Sequence, residues 1–271
     1  MPELPEVETT RRGIEPHVLG KTVTALVVRN PRLRWRVPAR LVKELPGQTI
    51  RSVTRRGKYL LLAGDRGTAI LHLGMSGSLR VVDGMQPADK YDHVDIVLDS
   101  GDCLRLRDPR RFGALLWTRD NPLLHKLLRG LGPEPLGPDF SGDYLYAKLR
   151  GRKRAIRDAL LDSRLVAGIG NIYANEALFT AGIRPTRRAG KITRAQYDRL
   201  AEAIRATLNR ALVAGGTTLR DFRNGHGEPG YFQLSLNVYG REGEPCRVCG
   251  TLVRNKRLGQ RTVFYCPKCQ M

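Results

Sequence analysis

Four of the five cysteines in this 271-residue chain fall into one pattern: Cys246-x2-Cys249, sixteen residues, then Cys266-x2-Cys269. This spacing suits a tetrahedral zinc site, because each CxxC turn aims two thiolates at one ion. Disulfides are the competing reading, and an intracellular chain disfavours them. Four sulfurs close the coordination sphere and leave no open position for substrate, so the expected Zn2+ is a single structural ion. The intervening segments 251–254 and 261–265 read as a two-stranded hairpin. From Cys246 to the end there are six basic residues and no acid, which suits contact with nucleic acid. Cys103 is left over and reads as an inert strand residue.

The charge balance points the same way. Lys and Arg number 47 against 26 Asp and Glu, for a net charge of +21 and a pI near 10.5. A polyanionic partner follows. The cations are spread along the chain and not gathered in one amphipathic helix, which favours nucleic acid over a membrane. The acidic amino terminus lacks the apolar run of a signal peptide. No segment approaches the ~18 apolar residues of a membrane span. The expectation is a soluble, cytoplasmic protein acting as a monomer.

The hydrophobic pattern divides the chain. A first helix is expected over 7–17. Short alternating runs at 22–28, 49–53, 59–62, 69–73, 78–82, 93–98 and 103–106 then predict strands of an antiparallel sandwich. Residues 131–142 carry three Pro and three Gly and read as a linker. Beyond it the pattern is helical: Thr193-x-x-Gln196 is a capping box, Tyr197, Leu200, Ala201, Ile204, Leu208 and Leu212 share one face, and Gly215-Gly216 stops the helix. The expected class is α+β with two domains: an amino-terminal sandwich with flanking helices over 1–130, the linker, a helical region over 143–235 and the zinc hairpin over 236–271.

Several residues are candidates for chemistry. Small residues after an initiator Met generally allow its removal, which would expose Pro2 as a secondary amine. An α-amino group titrates near ~8, so a useful fraction is uncharged at neutral pH. Such an amine condenses with an aldehyde-level carbon to an iminium, an electron sink for eliminations. Glu3 and Glu6 place acids beside it. The alternative is that Pro2 and Pro5 merely start a helix whose first turn favours acids. Gly168-Ile169-Gly170-Asn171 precedes a helix and suits phosphate, although glycine-rich helix starts are common. Asp108-Pro109-Arg110-Arg111-Phe112-Gly113 offers a guanidinium fork and an aromatic wedge, or simply a β-turn over a buried Phe. Met75 lies on a Gly-rich turn, where a methionine usually fills a core. Lys58, read alone, is one more surface lysine.

Taken together and in order, these motifs resemble the formamidopyrimidine-DNA glycosylase family of bacterial base-excision repair. The likeness is carried by Pro2-Glu3-Leu4-Pro5-Glu6-Val7-Glu8, Arg55-Arg56-Gly57-Lys58-Tyr59-Leu60, Leu73-Gly74-Met75-Ser76-Gly77-Ser78, the Asp108–Gly113 run, Gly168–Glu176 and the zinc hairpin with Arg261. It implies a helix-two-turn-helix in the second domain and a lesion-capping loop over 215–232. The implied activity is a bifunctional glycosylase and abasic-site lyase. It removes 8-oxoguanine and formamidopyrimidines from damaged double-stranded DNA, then nicks the strand by β,δ-elimination.

Residue roles follow from the same resemblance. Pro2 is the nucleophile, Glu3 the acid/base and Glu6 an orienting group, with Lys58 and Arg261 assisting elimination or clamping phosphate. Met75, Arg110 and Phe112 fill the gap left by the extruded nucleotide. Asn171, Tyr91 and Arg152 join the DNA contacts. Three positions depart from the common pattern: Arg157 and Arg152 stand where relatives often have Lys, and Tyr91 where many have His. Two alternatives are an endonuclease VIII-like enzyme for oxidised pyrimidines and a non-catalytic zinc-ribbon DNA-binding protein. Leu4 and the 215–232 loop argue against the first. The combination of Pro2, Glu3 and Lys58 argues against the second.

Overall fold

The computed structural model describes residues 1–215 and 236–271. The segment expected to form a lesion-capping loop therefore lies, from Gly216 to its end, outside the described residues. The chain forms two compact units. One holds Met1–Arg129; the other holds Gly130–Val213 and the described residues from Leu236 onward.

The first unit begins with helix α1 (Leu4–Val18), which starts three residues earlier than the hydrophobic pattern suggests. The reason is a capping box: Glu3 accepts the N–H of Glu6, and the Glu6 carboxylate accepts the Glu3 N–H at 2.8 Å. Pro5 costs nothing there, because first-turn N–H groups have no helical partner. Eight strands follow: β1 (Val23–Val28), β2 (Ser52–Arg56), β3 (Tyr59–Ala63), β4 (Thr68–His72), β5 (Ser78–Asp83), β6 (Asp92–Leu98), β7 (Asp102–Arg107) and β8 (Ala114–Thr118). They form two antiparallel four-stranded sheets, ordered β1-β6-β7-β5 and β2-β3-β4-β8.

A continuous apolar core draws Leu60 and Leu62 from β3, Leu71 from β4 and Leu115 from β8. Ile96, Leu104 and Leu106 join from the other sheet, and Val7, Ile14 and Val18 from α1. Burying side chains of this size contributes roughly 1.5–3 kcal/mol each. Strand β2 sits three residues later than expected, because its register is set by pairing Arg56 with Tyr59 across a two-residue turn. Gly57 takes φ +59° there, a left-handed value that tight hairpin turns favour. Strand β8 and the short helix α2 (Ala39–Glu44) carry no clear periodic signal in the sequence.

The second unit contains α3 (Gly142–Leu149), α4 (Ile156–Leu160), α5 (Asn171–Thr180), α6 (Arg194–Val213) and the hairpin β9 (Arg254–Leu258) and β10 (Arg261–Tyr265). The expected capping box opens α6: Thr193 Oγ1 accepts the Gln196 N–H, and Gln196 Oε1 accepts the Thr193 N–H at 3.0 Å. The first hairpin strand was expected at 251–254 and is found at Arg254–Leu258. The earlier residues pair backwards instead. The Cys246 N–H donates to Thr251 O and the Val253 N–H to Glu244 O, and this closes the first CxxC knuckle.

Candidate active site and metal centre

In the first unit the candidate residues sit at the amino end of α1 and on four turns of the sandwich. Pro2 is buried immediately before the helix, and Glu3 and Glu6 are 2% and 0% exposed. The capping box holds both carboxylates in fixed positions beside Pro2. Lys58 is the second residue of the β2–β3 turn. Arg55 anchors that turn by donating from Nη1 to Gly57 O at 2.8 Å and from Nε to Glu8 on α1 at 3.2 Å.

His72 lies directly across the sheet from Tyr59, with the two rings 4.8 Å apart. Burial, helped by the charges of Lys58 and Arg34, pushes its pKa down to about 4. Its Nδ1 accepts the Gly74 N–H at 2.9 Å, so the neutral ring carries its proton on Nε2. A neutral N–H donor thus lies within the field of Lys58 and Arg34, a combination suited to phosphate. Sequence reasoning placed His72 only in a strand. Its pairing opposite Tyr59, next to Lys58, is the signal that distinguishes it.

Met75 and Phe112 are large apolar side chains left 41% and 44% exposed. The Arg110 guanidinium covers the Phe112 ring at 4.8 Å, a cation–π contact that stiffens the pair. The run does form a β-turn, closed by the Arg111 N–H on Asp108 O at 3.1 Å, but Phe112 is exposed rather than buried beneath it. Tyr91 is held between Lys90 and Arg107, at 4.7 and 5.2 Å from its ring.

In the second unit, α5 is almost wholly buried and reads the zinc hairpin through two asparagines. Asn171, the first helical residue after the cap Gly170, donates from Nδ2 to Thr262 O at 2.9 Å. Asn175 accepts the Phe264 N–H at 2.9 Å. Glu176 accepts the backbone N–H groups of Asn237, Val238 and Tyr239 at 2.8–2.9 Å. Arg157 is 1% exposed, and burial lowers its pKa. It donates to Leu258 O at 2.9 Å and lies 3.4 Å from Arg261 O. One guanidinium nitrogen, Nη2, thus holds both carbonyls at the tip of the hairpin that presents the exposed Arg261, while Nη1 pairs with Asp158 at 3.1 Å. Arg152 lines a cavity of about 400 Å³ with Lys148, Lys153, Arg154 and Arg164, a strongly cationic wall.

The four hairpin cysteines bring their sulfurs within 4.8 Å of one another. Cys246–Cys269 and Cys249–Cys266 are separated by 3.9 and 3.5 Å. Four thiolates ~2.3 Å from a central ion lie about 3.8 Å apart, so the cluster fits zinc. Hydrogen bonds from the Thr251 hydroxyl and N–H lower the Cys249 thiol, whereas burial raises Cys266 and Cys269, so the four thiols ionise together only with a cation's charge between them. Cys103 is buried elsewhere, and burial pushes its thiol up to about 11, as expected of an inert residue.

Family models match nearly the whole chain: the formamidopyrimidine-DNA glycosylase N-terminal domain over residues 1–115, its H2TH domain over 131–223, and a zinc finger found in FPG and IleRS over 243–270. A formamidopyrimidine-DNA glycosylase of Stutzerimonas stutzeri is 59% identical over 270 residues, covering 100% of both chains. The chain belongs to the formamidopyrimidine-DNA glycosylase family. Two solved members show the same fold. The MutM (Fpg) protein of Thermus thermophilus is 41% identical with a TM-score of 0.90, covering 99% of this chain and 98% of that one. A Lactococcus lactis Fpg variant bound to DNA containing Fapy-dG is 34% identical with a TM-score of 0.93, covering 100% of both. The family's zinc finger and the four-cysteine cluster agree on one structural zinc ion. No helix among the described residues is long and apolar enough to cross a membrane.

Proposed function

We infer that this chain is a bifunctional DNA glycosylase and abasic-site lyase of base-excision repair, acting on oxidised purines in duplex DNA in the cytoplasm. Full-length likeness to glycosylases of this family, some solved on lesion DNA, carries the reading. With the damaged nucleotide extruded, the Pro2 nitrogen attacks C1′ of the sugar and the modified base departs. Glu3 supplies the proton that opens the sugar ring, giving an iminium on Pro2. The iminium acidifies the C2′ proton; its loss expels the 3′ phosphate, and a second elimination expels the 5′ phosphate.

The geometry supports each role. The capping box keeps Glu3 beside Pro2. Lys58 and Arg34 put their positive charge close to His72, which stays neutral between them. Arg261 is presented by a hairpin that Arg157, Asn171 and Asn175 hold from below. Met75, Arg110 and Phe112 are the exposed wedge, and Tyr91, Arg152 and Asn171 extend the DNA contact. Zinc shapes the hairpin and takes no part in bond making. The test is borohydride trapping on a duplex containing 8-oxoguanine. The parent protein becomes covalently joined to DNA and Pro2→Gly does not; undiminished trapping by the variant rejects Pro2 as nucleophile.

A further inference from the structure

The chain brings a buried carboxylate to the place where the Met75 turn, the Arg110–Phe112 turn and the backbone of Tyr91 meet. Asp108 is 0% exposed. Its backbone N–H donates to Tyr91 O at 3.0 Å, and its carbonyl accepts the Arg111 N–H at 3.1 Å. The same carbonyl lies 2.8 Å from His93 Nε2. One side-chain oxygen accepts the Gly113 N–H at 2.6 Å, and the other faces the Ser76 hydroxyl at 3.5 Å. Met75, Tyr91, Arg110 and Phe112 are thus each one of Asp108's direct partners or the immediate neighbour of one.

The two wedge turns also touch directly. A Cβ at Gly74 would fall 2.5 Å from both Gly113 N and Phe112 C. Gly74 has φ +68°, so a side chain there is strained as well as obstructed. The two turns pack backbone to backbone, with the carboxylate bonded to Gly113 of one and facing the Ser76 hydroxyl of the other.

We propose that Asp108 is the positioning residue that couples the Met75 turn and the Arg110–Phe112 turn into one rigid wedge. This rests on the reading that Met75, Arg110 and Phe112 fill the gap left by the extruded nucleotide. An Asp that merely begins a β-turn bonds within its own turn. Asp108 also reaches Ser76, 32 positions away, and the strand that carries Tyr91. Its charge is satisfied by N–H and O–H donors; among the described residues it has no ion-pair partner. Preorganised apolar atoms replace the departed base without an ordering cost at the moment of extrusion.

The experiment compares two substrates in single turnover: a duplex bearing 8-oxoguanine, which needs the wedge, and a single strand bearing an abasic site, which has no stack to fill. Asp108→Ala should slow excision from the duplex by roughly tenfold to a hundredfold, the scale of a small misplacement, and leave single-strand cleavage unchanged. Asp108→Asn keeps a carbonyl acceptor for Gly113 and should recover most of the duplex rate. Phe112→Ala sets the reference, and adding Asp108→Ala to it should slow the duplex reaction little further. Parental duplex rates in Asp108→Ala, equal slowing of both substrates, or losses that multiply in the double variant would each overturn the proposal. If Phe112→Ala leaves duplex excision intact, the wedge reading itself fails and the proposal falls with it.

Discussion

Arg55 and Glu8 tie the amino-terminal helix to the turn that carries Lys58. The pair closes at 3.2 Å with both side chains only 12–13% exposed, and the same guanidinium donates to Gly57 O. The helix that begins two residues after Pro2 and the turn that presents Lys58 are therefore tied directly to each other.

Arg55→Met should leave the fold intact, because Glu8 retains Arg11 and Arg12. Loss of one partly buried pair costs about 1 kcal/mol. The larger effect should fall on chemistry, with the lyase step slowed about tenfold or more and duplex affinity nearly unchanged. Single-turnover cleavage at an abasic site, measured beside binding, checks this; equal loss in both would place Arg55 in binding.

The pH dependence of stability should carry the mark of His72. Its folded pKa, about 4, lies below the ordinary 6.5. Between those values the unfolded chain binds the proton and the folded chain does not. Stability is therefore complete above pH 6.5 and falls as the pH drops toward 4, by up to roughly 3 kcal/mol. His72→Asn should flatten that part of the profile. NMR of the ring should show no titration between pH 8 and pH 5.5; a midpoint near 6.5 would contradict a buried neutral imidazole.

Glu176→Gln should destabilise the second unit. The carboxylate accepts from three consecutive backbone N–H groups and from Asn237 Nδ2 at 3.1 Å. A glutamine amide turns one acceptor into a donor that faces other donors. A loss of about 3 kcal/mol is expected for a hydrogen-bonded buried charge, read as a lowered Tm. An unchanged Tm would show that the chain at 237–239 is held by other contacts.

Removing zinc should dismantle the hairpin rather than the sandwich. A structural site of this kind contributes ~10–16 kcal/mol of binding energy to its own folding. Chelation should make Cys246, Cys249, Cys266 and Cys269 reactive to a thiol reagent, leave buried Cys103 protected, and sharply weaken duplex binding. Retained affinity in metal-free protein would remove the hairpin from the DNA-binding surface.

The sequence by itself determined the zinc site, the basic character, the α6 capping box and most of the sandwich strands, because each depends on spacing within a few residues or on a local period. It also exposed the motif string from Pro2 to Cys269. Tertiary structure alone decided what no local pattern encodes. Residues 251–253 pair back toward the first knuckle and shift β9. His72 stays neutral only because β4 buries it near Lys58 and Arg34, and Arg157 matters only because the hairpin tip folds onto its guanidinium. Burial, register and charge proximity are properties of neighbours brought together across the chain, and they exist only once it has folded.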